Sequence, residues 1–149
     1  MSAWRRQAIE FLPEHKTLIE VCDTPMFLWT ELHSIFHKAS EEENIPLMRS
    51  LFGYARWCWH ESRSRDTQTA ALIGFYENIP SDRNHWWAVA VFVSRPDFAG
   101  LEQIFRYFLS DEQYEEFKTY YFENRAIIEK DLLKKKTPLA RRRTTGRRG

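Results

Sequence analysis

Apolar side chains recur along this chain at intervals of three and four residues, the spacing that places them on one face of an α-helix. After Thr24 the positions Leu28, Trp29, Leu32, Ile35, Phe36 and Ala39 form such a stripe. Thr24 and Pro25 mark its start. A threonine oxygen accepts from the open amides of the first turn, and proline at the first helical position gives up an amide that would have no partner. The same reading gives a short helix from Pro13 to about Val21, with Leu18, Ile19 and the stem of Lys16 near one face. A further helix is opened by Asn44 and Pro46 and ends near Glu61, with Leu47, Leu51, Tyr54, Ala55 and Cys58 together. Asp66 is placed as the cap of a helix over 67–78, apolar around most of its girth and small at Ala70, Ala71 and Gly74. Such a helix belongs in the middle of a structure, with close neighbours.

The run Trp86–Val93 has the β-branched and aromatic content of a strand, but a lone strand would have no pairing partner, so it is read as a short helix. Ser94 and Asp97 have the spacing of a capping box, in which the serine caps the first turn and the acid reaches back. The helix they open carries Phe98, Leu101, Phe105, Phe108 and Leu109 on its core side. Ser110 with Gln113 forms a second box, followed by one long last helix through Tyr114, Phe117, Tyr121, Ile128 and Leu132 to about Lys135. The fold class expected is all-α: one domain over 1–136 with six to seven helices packed as antiparallel hairpins, and a disordered basic tail over 137–149.

Composition adds to this picture chiefly through aromatics and charge. The chain has 6 Trp, 6 Tyr and 11 Phe in 149 residues, too much aromatic surface to stay unfolded. Its net charge of +1 hides two unlike parts. Residues 132–149 hold 8 Lys/Arg and no acid, whereas residues 1–131 hold 14 Lys/Arg against 21 Asp/Glu, a net of −7. The start of the chain has no apolar core of a signal peptide, and its longest uncharged run at membrane-like hydrophobicity has 11 residues. A membrane span needs about 20, so a cytoplasmic protein is expected. Cys22 and Cys58 are read as reduced and buried.

Candidate chemistry is sparse. His33 and His37 stand at the i,i+4 spacing that two metal ligands use. The glutamate of the metalloprotease helix motif is absent and no second pair is evident elsewhere, so a rim position is favoured over a metal or an enzyme using these two histidines. Cys58 and His60 are two positions apart and point about 200° apart on a helix, which opposes a nucleophile pair. No phosphate-binding glycine loop or nucleophile elbow occurs, and no cofactor is expected. Trp57, Trp59, Trp86 and Trp87 exceed what one helix face buries, and with Arg56 and Arg63 they are the candidate partner-binding residues of a non-enzymatic interaction module. An accessory or immunity-type protein that binds an unknown protein partner is the leading reading. The alternative lies in the tail: Lys134, Lys135, Lys136, Arg141, Arg142, Arg143, Arg147 and Arg148 would attract nucleic-acid phosphates without reading sequence.

The segments Phe11–Glu20 (FLPEHKTLIE), Asp23–His33 (DTPMFLWTELH), Tyr54–Trp59 (YARWCW), Ala71–Pro80 (ALIGFYENIP) and Phe105–Ser110 (FRYFLS) resemble a family of small bacterial helical proteins of unknown function, over residues 11–125. The resemblance implies an all-helical fold and a bacterial, cytoplasmic setting. It brings no activity, cofactor or catalytic residue, and the basic tail lies outside it.

Overall fold

The computed structural model describes residues 1–134, and beyond them only the backbone course of the last helix. Among the described residues every regular element is helical. The α-helices are α1 (Ala3–Phe11), α2 (Lys16–Val21), α3 (Pro25–Glu41), α4 (Ile45–His60), α5 (Arg65–Gly74), α6 (Trp86–Phe92), α7 (Arg95–Gly100), α8 (Glu102–Arg106) and α9 (Asp111–Arg148). Short 3-10 turns occupy Pro13–His15, Tyr76–Ser81 and Arg83–His85. The fold is all-α, and Trp86–Phe92 is helical as expected. None of the described helices is long and apolar enough to cross a membrane. Where the last helix ends, and the expected disorder over 137–149, fall on residues outside those described.

Two caps form as read from the sequence. Thr24 Oγ1 accepts from the Phe27 amide at 3.1 Å, and Asn44 Oδ1 accepts from the Leu47 amide at 3.3 Å. At the head of α9 the box is reciprocal: the Gln113 amide donates to Ser110 Oγ at 3.1 Å and the Ser110 amide to Gln113 Oε1 at 2.9 Å. Each such cap contributes about 1 kcal/mol by giving open first-turn amides a partner.

Helix α1 was not foreseen, although Trp4, Ala8 and Phe11 stand at the four- and three-residue intervals of one helix face. It is held by tertiary contacts. Ala8 is fully buried, the Tyr54 hydroxyl donates to the Trp4 carbonyl at 3.0 Å, and Arg5 donates to the Cys22 carbonyl. Gly53 on α4 makes the crossing possible, since a Cβ there would stand 2.9 Å from the Phe11 ring.

Helix α5 is capped by Ser64, not Asp66: Ser64 Oγ accepts from the Thr67 amide at 3.3 Å. The helix stops at Gly74 rather than continuing to Asn78. Phe75 leaves the helical region (φ −122°, ψ −70°), and the Asn78 side-chain amide caps the freed Ile73 carbonyl at 3.1 Å. The small faces act as expected. Gly74 lies so close to α3 that a Cβ would come within 2.9 Å of the Trp29 Cβ. Burial is one-sided, however, with Ala70 and Ala71 inside and Ile73 43% exposed.

The helix expected from Ser94 to Leu109 is two helices, broken at Leu101 (φ −94°, ψ 5°). The Leu101 amide is shared between the Asp97 and Phe98 carbonyls at 3.0 and 3.2 Å. α8 itself ends at Arg106, and Phe108 beyond it is exposed, contrary to its expected place in the core, and pairs edge-on with exposed Tyr107. Leu132 is likewise exposed rather than on the buried stripe of α9.

The interior is aromatic throughout. Trp29 is flanked by Tyr54 at 5.3 Å and Phe75 at 4.8 Å between ring centroids, which ties α3 to α4 and to the end of α5. Farther along the chain Tyr121 stacks on Phe98 at 3.8 Å and donates its hydroxyl to the Val93 carbonyl at 2.6 Å. This second cluster fixes α7 against α9 and closes the end of α6.

Candidate functional site

Two groups of residues present chemistry that the core does not need. The first surrounds the buried His85, which is 2% exposed. His85 closes the 3-10 turn Arg83–His85, and Asp82 caps that turn by accepting from the Asn84 amide through Oδ1 at 2.9 Å. The other Asp82 oxygen, Oδ2, lies 3.4 Å from His85 Nε2. The same nitrogen stands 3.1 Å from Nδ1 of His37, which projects from α3. On its far side the His85 Nδ1 meets Ser40 Oγ at 2.7 Å, one turn farther along α3. The donor atoms of His37, Asp82 and His85 all lie within 4.8 Å of one another.

This arrangement adds to the reading of the two helical histidines. A second pair exists after all: Asp82 and His85, three apart in a tight turn, join His37. His33 is not part of the group. Its ring is edge-on to that of His37 at 5.3 Å, and its Nδ1 is buried without a hydrogen-bond partner. Burial first, then the neighbouring His37, holds His33 below its ordinary pKa. Burial also lowers that of His85, against the opposing pull of Asp82. Both rings therefore favour the neutral form, with one ring nitrogen carrying a free lone pair. Ser40 is 4% exposed and sits in the last turn of α3, so no substrate reaches its hydroxyl and the Ser40–His85–Asp82 line does not act as a nucleophile triad.

The second group is a groove of about 530 Å³ between the start of α1, the end of α4 and the start of α5. Trp4 and Trp57 are among its lining residues, with Glu61 and Arg63 of opposite charge and the hydroxyl residues Ser2 and Thr67. Trp57 is positioned by stacking on Tyr54 (6.3 Å, 8° between planes), whose hydroxyl in turn holds Trp4 through its carbonyl. Ser2 Oγ and Thr67 Oγ1 are buried and have no hydrogen-bond partner.

Of the other candidate partner-binding residues, only Arg63 shares this groove with Trp57. Trp59 lies elsewhere on α4, over Gly100 and against Tyr76 and His60. Arg56 is engaged by Asp97 at 2.9 Å. Trp86 is 5% exposed, donates to the Pro80 carbonyl at 2.8 Å and is covered by the Arg83 guanidinium. Trp87 is half-buried near Phe92. The six residues thus do not form one surface. Trp4, Ser2 and Thr67 were missed because Trp4 lies on α1, Ser2 just before it and Thr67 on α5, and only the fold brings those helices to Trp57.

Cys58 is fully buried, and burial pushes its thiol up to about 12. His60 turns away to Asp97, as the helical angle requires. Of the basic tail, Lys134 is exposed; Lys135, Lys136, Arg141, Arg142, Arg143, Arg147 and Arg148 lie outside the described residues.

Comparison of the chain with protein-family models, with curated proteins and with solved structures gave no match in any of the three.

Proposed function

We propose that this protein is a non-enzymatic helical interaction module that uses the Trp4–Trp57 groove to hold an extended segment of a partner protein. The observation that carries the reading is the groove itself, in which Trp4 and Trp57 stand beside Glu61 and Arg63. An extended peptide fits such a lining. One aromatic or aliphatic side chain packs on the indoles, the residue type that dominates binding energy at interfaces, and the main chain of the peptide bonds to the polar groups at the groove. Glu61 and Arg63 at the groove allow polar contacts of either sign. The resemblance to small bacterial helical proteins supplies the setting in which to look for the partner.

The test places a photoreactive phenylalanine analogue at Arg63 in the full chain, expressed in its native host. The expected result is one stoichiometric protein adduct that is lost when Trp57→Ala is added and kept when Trp87→Ala is added instead. No adduct, or one indifferent to Trp57→Ala, would overturn the reading. Circular dichroism of both variants separates loss of binding from loss of fold.

A further inference from the structure

The geometry points to a divalent-metal site formed by His37 Nδ1, Asp82 Oδ2 and His85 Nε2, of the class that takes Zn²⁺. The inference is independent of the partner groove.

Its first support is distance. Nitrogen and oxygen donors about 2.0–2.2 Å from one zinc ion in a tetrahedron stand about 3.3–3.6 Å from each other. His85 Nε2 is 3.1 Å from His37 Nδ1 and 3.4 Å from Asp82 Oδ2. The whole set spans at most 4.8 Å, so only a small inward turn of the two outer side chains completes the tripod. Those two are the half-exposed members, and the inner one, His85, is fixed.

Its second support is the group behind the inner ligand. A metal-bound imidazole almost always hydrogen-bonds its other nitrogen to a protein acceptor, which sets the tautomer and aims the lone pair. Ser40 Oγ occupies that position at 2.7 Å from His85 Nδ1. With Nδ1–H donated to Ser40, the Nε2 lone pair faces the same space as the Asp82 carboxylate and the His37 ring. At 3.1 Å His37 Nδ1 and His85 Nε2 share a hydrogen bond when no ion is bound; a divalent cation would displace that proton, make all three atoms electron-pair donors and neutralise the carboxylate. Two imidazoles and one carboxylate suit Zn²⁺ and its neighbours Co²⁺ and Ni²⁺ rather than Mg²⁺ or Ca²⁺, which prefer all-oxygen sets. Three protein ligands leave the fourth position to water on the open side.

The test uses the full chain stripped of metal by a chelator and then titrated with Zn²⁺ and, separately, Co²⁺. The expected result is one ion per chain, with the intense visible bands of tetrahedral Co²⁺ and a rise in melting temperature on Zn²⁺ addition. His37→Ala and Asp82→Asn alter half-exposed side chains and should each weaken binding more than tenfold while keeping the helical circular dichroism. His33→Ala, the other member of the helical pair, should bind as the parent does. Absence of uptake in the parent would overturn the site, as would parental affinity in both His37→Ala and Asp82→Asn. Loss of binding in His33→Ala with retention in Asp82→Asn would move any ion to the helix pair and would equally overturn it.

Discussion

Asp97 and His60 face each other at 3.0 Å across the junction of α7 and α4, and the same carboxylate accepts from Arg56 at 2.9 Å. The Asp97 side chain therefore does not close the capping box that its spacing from Ser94 implies. Ser94 Oγ still accepts from the Asp97 amide at 3.3 Å, but the carboxylate has left its own helix for another. Asp97 is 8% exposed, so these two bonds are its main compensation for lost water.

Asp97→Asn keeps the shape and removes the charge. It should destabilise the fold by about 1–3 kcal/mol, because Arg56 and His60 lose a charged acceptor while the new amide meets two donors. Denaturant melts of the variant and parent check this, and a double-variant cycle with Arg56→Ala should show coupling between the two sites.

Gly74→Ala and Gly100→Ala should differ in size. At Gly74 the new methyl would meet the Trp29 Cβ at 2.9 Å, close to the backbone of a fully buried residue on α3, so the helices must part. The loss expected is about 1–3 kcal/mol. At Gly100 the methyl would meet only the tip of the half-buried Trp59 ring at 3.1 Å, which can swing. There the gain of about 1 kcal/mol in helix propensity should offset most of the contact cost. Thermal melts of the two single variants give the comparison.

Thiol reactivity is a direct reading of burial. Cys22 and Cys58 are both fully buried, and burial raises the pKa of each. The native protein should resist a thiol-specific disulfide reagent at mildly alkaline pH, and two thiols per chain should react after denaturation. Rapid labelling of Cys58 in the folded state would contradict its place in the core.

Glu129 accepts from Arg95 and from Arg125 and is held below the usual carboxylate range by those two guanidinium groups. A carboxylate with a depressed folded pKa contributes stability above its unfolded pKa and loses it as pH falls through the folded value. The difference in melting temperature between the parent and Glu129→Gln should therefore be present at neutral pH and shrink on acidification below the ordinary carboxylate range. Since the pair is solvent-exposed, added salt should shrink it too.

The parts of the fold that were legible in the sequence are those where a local rule and a tertiary contact agree. Thr24, Asn44 and the Ser110–Gln113 box each announce a helix that the core then accepts. The parts that were not legible are those decided by a distant partner. α1 depends on Gly53 and Tyr54, the close seat of Gly74 on α3 depends on Trp29, and the break at Leu101 falls beside a glycine that lies against Trp59. The candidate sites follow the same division. His37 carried a visible spacing signal, but its neighbours Asp82 and His85 lie beyond two intervening helices, and no periodicity links them. Their own spacing in a tight turn was the one available clue.

His37 and His85 are 48 positions apart, and the chain between them contains α4 and α5. Anything that joins these two side chains closes that stretch into a ring. The freedom removed from the unfolded chain by such a clasp grows only with the logarithm of ring length. A ring this long nonetheless includes Tyr54 and Phe75, the two rings on which Trp29 of α3 is seated, so fastening it would bear on how α3, α4 and α5 come apart and not merely on how one turn is held.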